Sequence, residues 1–330
     1  MKKDLIWAYF FQLSSHMWDD ENTKSRGWYL PEATPPIGSY EEGKDYAANN
    51  YVDIELWDEM VDFIAERKYN MLVIDVGDGI KYESHPEISA PDAWEKDFLK
   101  KKLDELRAKG IEPIPKLNFS SGHHAWLKIY RRMLSTPQYY QVCSDVIKEV
   151  AEVFDYPRFM HLGLDEEAAF VLPIREAAFV RGEKLWWHDV YFFFSECEKH
   201  GMRPWVWSDY YWAHPELFVK NMPKSVLQSN WYYGWFKDFE DGNKAKKTIQ
   251  TYIDLDELGY DQIPSCSTWA TVVNPYQTVA FGKDKISEEH LKGYMTIPWT
   301  YGHNRDVEYT LKNDAHRLYV ARQRIYPETL

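Results

Sequence analysis

The sequence predicts a single (β/α)8 barrel. Three observations predict it: eight short β-rich runs along the chain, amphipathic helical patterns in the intervals between them, and 330 residues with no linker-like break in composition. Barrels of this class occupy about 250 residues or more as one domain, so residues 1–330 are read as one unit. A doubly wound open sheet is the structural rival, but no GxGxxG or P-loop pattern follows an early strand.

The first run, residues 5–12, lies in MKKDLIWAYFFQL. Asp4 interrupts the apolar stretch and no small-residue cleavage site follows, so a strand is expected here rather than a signal peptide. YVDIELWDEMVDFIAERK then repeats apolar residues near i, i+3, i+4 and i+7, the period of a helix with one buried face. The second run, 71–76, leads to helical DAWEKDFLKKKLDELRAKG, and the third, 112–118, to QYYQVCSDVIKEVAEVF. The fourth run, 159–165, precedes VYFFFSECEKHG. Runs at 203–208, 226–231, 262–267 and 293–299 complete the eight, and a helix beginning near Val307 closes the chain. Gly110 and Gly201 follow last turns bearing Lys or His, where a left-handed cap is expected, and each leads straight into a strand.

Charge narrows the partners. Fifty-two acids against 39 basic residues leave a net −13, which argues against nucleic acid or an anionic membrane as the main partner. No stretch is apolar enough to span a bilayer. With neither a leader nor a span in the sequence, a cytoplasmic location is the default expectation. Cys143, Cys197 and Cys266 have no CxxC spacing and read as buried thiols. Aromatic residues make up 17% of the chain. Many of the tryptophans stand beside Asp, Ser, Asn or Tyr, as in VWSDYYW and SNWYYGW. Flat faces flanked by hydrogen-bonding groups suit a sugar ring, so carbohydrate is the partner class to expect.

The fourth run carries the chemistry. In RFMHLGLDEE, alternation puts Met160, Leu162 and Leu164 on the face toward the helices, and His161, Gly163 and Asp165 on the face toward the barrel interior. Asp165 and Glu166 then arrive at the C-terminal rim, where the active sites of such barrels lie.

HLGLDE resembles the H-x-G-G-D-E signature of the β-N-acetylhexosaminidases of glycoside hydrolase family 20, with Leu164 in place of the second Gly. RKYNMLVIDVGDGIKYESHPEI is similar to that family's second-strand segment. KGIEPIPKLNFSSGHHAWL resembles its third, with one extra residue before Gly122. PWVWSD, SNW and GYMTIPW match its fifth, sixth and eighth strand ends, so the likeness runs in order over nearly the whole chain. The resemblance implies a catalytic barrel without metal or other cofactor. It implies Glu166 as general acid/base and Asp165 as the group that orients the substrate's own 2-acetamido group. That chemistry needs an acid to protonate a poor leaving group and an internal nucleophile to meet the oxocarbenium-like transition state.

Trp207, Trp231 and Trp299, near three strand ends, are expected to wall the sugar pocket. Asp209, Tyr232, Trp269 and Tyr301, with Tyr233, are further rim candidates, as are Asp78, His123 and His161. His123, His124 and His161 with Asp75 and Asp78 could be read as a metal site, but no HxH or HExxH spacing is present. Four departures from the family fall on substrate recognition. Gln12, Ser15 and His16 stand where a first-strand Arg is expected, Lys116 and Asn118 replace third-strand acids, STWAT replaces a Tyr and Asp pair, and Tyr301 replaces an eighth-strand acid. The expected activity is a retaining, substrate-assisted hexosaminidase-like hydrolase. The alternatives are a glycan-binding barrel without hydrolysis and a glycosidase for a sugar lacking the acetamide, with Asp209 as the first candidate for its second carboxylate.

Overall fold

All eight β-rich runs become parallel strands. In the computed structural model, which describes residues 5–14, 16–17, 50, 52–167, 179–239, 245–300 and 305–330, they are β1 (Ile6–Gln12), β2 (Met71–Asp75), β3 (Glu112–Lys116), β4 (Phe159–His161), β5 (Arg203–Trp207), β6 (Leu227–Ser229), β7 (Ser265–Cys266) and β8 (Gly293–Thr296). The order around the sheet is β6-β5-β4-β3-β2-β1-β8-β7. The ring closes between its two ends through isolated parallel bridges, Gln228 to Gln262 and Trp231 to Ser265. This is the expected (β/α)8 barrel.

Helices fill the intervals: α1 (Ile54–Glu66), α2 (Lys96–Ala108), α3 (Pro137–Val153), α4 (Glu183–Lys199), the short α5 (Tyr210–Ala213) and α6 (Pro215–Asn221), α7 (Ala245–Glu257), α8 (Asn274–Lys285) and α9 (Glu308–Ile325). Their starts are chemically marked. The Asp53 side chain accepts from the Leu56 amide at 2.9 Å, a cap worth about 1 kcal/mol. Thr136 caps α3, with Pro137 in the first turn, where its missing N–H costs nothing. Leu56, Trp57, Met60, Val61 and Ile64 make the buried stripe of α1, each contributing roughly 1.5–3 kcal/mol on burial. Gly110 and Gly201 take φ of +76° and +73°, the left-handed caps the sequence predicts.

Two cores result. Between strands and helices lies the larger, to which Met160, Leu162 and Leu164 belong. Inside the barrel lies the smaller, built from Ile6, Ala8, Phe10, Met71, Val73, Ile114, Phe159, Trp205, Leu227, Ile263 and Met295. Toward the C-terminal end this lining turns polar. Lys116 and Asp75 form an ion pair there with both side chains almost wholly buried. His161 packs on the Trp205 and Trp207 rings at 5.0 and 4.6 Å.

The strands stop earlier than the β-rich runs. β4 ends at His161 because Gly163 and Leu164 adopt φ of +70° and +65°, outside the extended region. α9 returns across the opening of the sequence: Tyr9 Oη donates to Leu311 O at 3.2 Å and Tyr69 Oη to Ala315 O at 2.7 Å. Among the described residues no helix is long and apolar enough to cross a membrane, and all three cysteines are free and buried.

Candidate active site

The turn after β4 brings the acids to the barrel mouth through three left-handed residues in four: Gly163, Leu164 and Glu166, the last at φ +56°. Such conformations cost about 1–3 kcal/mol each away from glycine, so neighbouring groups must hold them. Asn118, just past β3, donates from Nδ2 to Asp165 Oδ1 at 2.9 Å, while its own Oδ1 accepts from the Ser120 amide at 3.0 Å. Ser120 Oγ donates to the Asp165 carbonyl at 2.6 Å. From the end of β5, Asp209 Oδ2 accepts the Glu166 amide at 2.7 Å. His123 Nε2 lies 3.0 Å from Glu166 Oε2 and 3.6 Å from Asp165 Oδ2, so one imidazole faces both carboxyls. The Glu166 side chain retains 22% exposure against 10% for Asp165, which gives the two acids different access to the mouth.

Glu167, the third acid of the run, serves the fold. Its side chain is buried, accepts from the Ser121 amide at 2.7 Å and pairs with Arg181 at 2.5 Å. Arg181 also pairs with buried Asp189 on α4 at 2.8 Å.

The aromatic wall forms as a chain of rings. Trp207 and Trp299 stand 6.5 Å apart, Trp299 and Tyr233 6.5 Å, and Tyr233 stacks on Trp231 at 5.3 Å. Tyr232 turns the other way, against Phe236 at 5.6 Å. Trp269, on the loop after β7, is 49% exposed. Tyr301 and Ser15 lie outside the described residues.

Below the mouth, burial sets the charge states. The Asp209 carboxyl is pushed up to about 8, first by burial and then by the Asp165 charge. The Glu166 charge adds to this, while the Glu166 amide and the Trp231 indole pull part of the way back. Burial likewise raises Asp75 despite Lys116 beside it. His161 is held well below the usual imidazole range by burial and then by Lys116, and its Nδ1 accepts the Gly163 amide at 3.0 Å. It therefore sits as a neutral ring under the acids.

Asp78 is fully buried and gathers Ser14 at 2.8 Å, His16 at 2.6 Å, Asn50 at 3.2 Å and Lys128 at 2.6 Å. Burial alone would raise its carboxyl, but the His16 and Lys128 partners outweigh it and hold it below the ordinary value. His16 is thus directed at a carboxylate behind the rim. Among the described residues no group of three or more His, Cys, Asp or Glu side chains is gathered as metal ligands would be.

The structure brings Asp165, Glu166, His123, Asp209, Trp207, Trp231 and Trp299 together. His161 lies against Trp207, whereas Asp78 is bonded to Ser14, His16, Asn50 and Lys128 instead of to these residues. Tyr232 packs on Phe236 against the outer core, and Trp269 stands exposed on the loop after β7. Sequence reasoning passes over Asn118, which it reads only as the loss of an acid, and over the Glu167–Arg181–Asp189 cluster. The partners come from different elements, Asn118 from just past the end of β3, Arg181 from just before α4 and Asp189 from α4, and spacing along one strand carries no signal of them.

No protein-family model matches the sequence, and no curated protein sequence does either. Solved structures do. The chitobiase of Flavobacterium johnsoniae superposes with a TM-score of 0.59 at 15% identity over 86% of this chain and 50% of its own. The GH20 exo-β-N-acetylglucosaminidase of Vibrio harveyi, solved with N-acetylglucosamine, gives 0.61 at 12% identity over 99% and 57%. Dispersin B gives 0.56 at 14% identity, with 97% and 99% covered. The fold is that of the GH20 barrels. The chain spans about half the length of the first two GH20 proteins and nearly all of Dispersin B.

Proposed function

We propose that this chain is a retaining glycoside hydrolase acting on β-linked 2-acetamido sugars, with Glu166 as general acid/base and Asp165 as the group that orients the acetamide. A shared fold alone would not carry this. One observation does: two adjacent carboxyls at the barrel mouth are held in place by independent contacts, Asn118 on Asp165 and Asp209 on the Glu166 amide, beneath a wall of indole rings. The structural neighbours named as N-acetylglucosaminidase or N-acetylhexosaminidase support that choice of sugar class.

In this reading the Glu166 carboxylic acid gives its proton to the glycosidic oxygen as the C1–O bond breaks. The substrate's acetamide oxygen forms the new bond to C1, and Asp165 accepts the acetamide N–H and stabilises the positive charge on the closing ring. Water then attacks C1 as the bond from C1 to the acetamide oxygen breaks and the acetamide is regenerated, Glu166 takes the water's proton, and the configuration is retained after two inversions. The indole faces exclude water, which strengthens the Asp165 contribution.

On aryl β-N-acetylglucosaminides with poor leaving groups, Glu166→Gln is expected to lower kcat by about 10²-fold or more. A thiazoline mimic of the cyclised sugar is expected to inhibit far more tightly than N-acetylglucosamine. Equal rates for wild type and Glu166→Gln, or weak thiazoline binding with a harmless Asp165→Asn change, would overturn the reading. The acetamide-free alternative needs an ionised carboxylate on another strand as nucleophile or base, and the raised proton affinity of Asp209, its first candidate, argues against Asp209 in that role.

A further inference from the structure

We infer that Asp209 is a positioning residue that holds the acid/base Glu166 by its backbone and does so as a neutral carboxylic acid. The inference rests on the reading of Glu166 given above.

Geometry carries it. Glu166 sits at φ +56°, a conformation a non-glycine residue leaves unless something fixes it. The Asp209 carboxyl, 7% exposed, reaches across from the end of β5 and takes the Glu166 amide proton in a 2.7 Å hydrogen bond. Among the described residues its other oxygen receives a single long contact, 3.4 Å from Trp231 Nε1. That oxygen can carry a proton while the first stays an acceptor.

The groups facing Asp209 explain why the proton stays. From β4's end come the carboxyls of Asp165 and Glu166, and from β6's end the Trp231 indole. His123, the nearby imidazole, faces Glu166 and Asp165. Asp209 forms no ion pair with any described Lys, Arg or His. Three carboxyls sharing one water-poor space do not all ionise: Asp165 and Glu166 both face His123, and Asp209, as buried as Asp165 but without a described cation in ion-pair reach, keeps the proton. A neutral Asp209 cannot compete with the acetamide for C1, and it adds no third negative charge against which Glu166 would have to release its own proton.

Three variants and one spectroscopic readout test this. Asp209→Ala removes the grip on the turn and is expected to lower kcat by about 10-fold to 10²-fold, with KM changing much less. Asp209→Asn keeps a neutral acceptor of the same shape and is expected to recover most of that loss. Its kcat/KM profile should also lose one ionisation on the alkaline side, the limiting slope going from −2 to −1. Independently of turnover, the Trp231 indole and Glu166 amide resonances in a 15N-labelled sample should shift together with an alkaline titration that Asp209→Asn abolishes. An Asp209→Asn activity as low as that of Asp209→Ala, or of Glu166→Gln, would show that the carboxylate itself is needed and would overturn the inference. Turnover without the indole titration would overturn it alone. A titration without any turnover in the wild type would remove the catalytic reading and leave only the protonated carboxyl.

Discussion

Gly163 shows how a single hydrogen atom supports the site. A Cβ built on it would lie 2.0 Å from Asn118 Oδ1 and 2.9 Å from Asn118 Cα, at φ +70°. Gly163→Ala is therefore expected to push Asn118 off Asp165, lowering kcat by about 10-fold or more and stability by about 1–3 kcal/mol. The next residue behaves differently. Leu164 holds φ +65° with its side chain 2% exposed in the outer core. Leu164→Gly loses burial worth roughly 1.5–3 kcal/mol but releases about 1–2 kcal/mol of left-handed strain, so the net change should be small. Leu162→Gly, equally buried and not at positive φ, gains no such relief and should cost clearly more in urea denaturation. Equal losses at the two leucines would show that the strain at Leu164 is absent. The acids were legible in the sequence because they break an apolar alternation. Their holders were not, since Asn118 and Asp209 lie 47 and 43 positions from the groups they bond.

At the scale of elements, position was legible and extent was not. Each helix with a 3.6-residue apolar stripe stands where its pattern places it, because burying that stripe against the barrel outweighs local preference. Strand ends depend on backbone conformation that composition hides, as the left-handed turn after His161 shows. The step from β4 to α4 is fastened by Arg181, whose side chain is 2% exposed between Glu167 and Asp189. Arg181→Met would leave two buried carboxylates without their cation and is expected to cost about 3–5 kcal/mol. Adding Glu167→Gln and Asp189→Asn should recover part of that loss. A single variant as stable as wild type by chemical denaturation would mean the cluster contributes nothing.

For the whole molecule, buried titrating groups act in opposite senses. His124 is wholly enclosed and pushed down to about 3, by burial first and then by Arg181 and Arg131. Below its ordinary 6.5 the unfolded chain takes up a proton that the folded one refuses, so stability falls as pH drops from about 6.5 toward 3. Asp314, which joins α9 to Thr268 and Thr296, is raised to about 6, chiefly by burial. The folded chain then holds the extra proton, and stability falls as pH rises from about 4 to 6. Relative to wild type, His124→Gln should gain stability as the solution is made more acid, and Asp314→Asn as it is made less acid. Melting curves of both variants at pH 4 and 6 check the two signs, and slopes of the same sign would contradict them. The barrel as a whole was legible, since eight repeats of one unit leave few alternatives. The charge states were not, because they arise from enclosure.

The return of α9 to β1 also governs when the protein becomes itself. β1 pairs with β8, and Tyr9 bonds to a carbonyl 302 positions further on. On the ribosome, at about 5–20 residues per second, β1 therefore waits on the order of tens of seconds with one edge unmated. Asp165 and Glu166 emerge midway through that interval, on a sheet that is still an open arc. The ring is thus complete only once β8 has emerged to pair with β1, and until then the unpaired N–H and C=O groups along that edge of β1 are what chaperones meet.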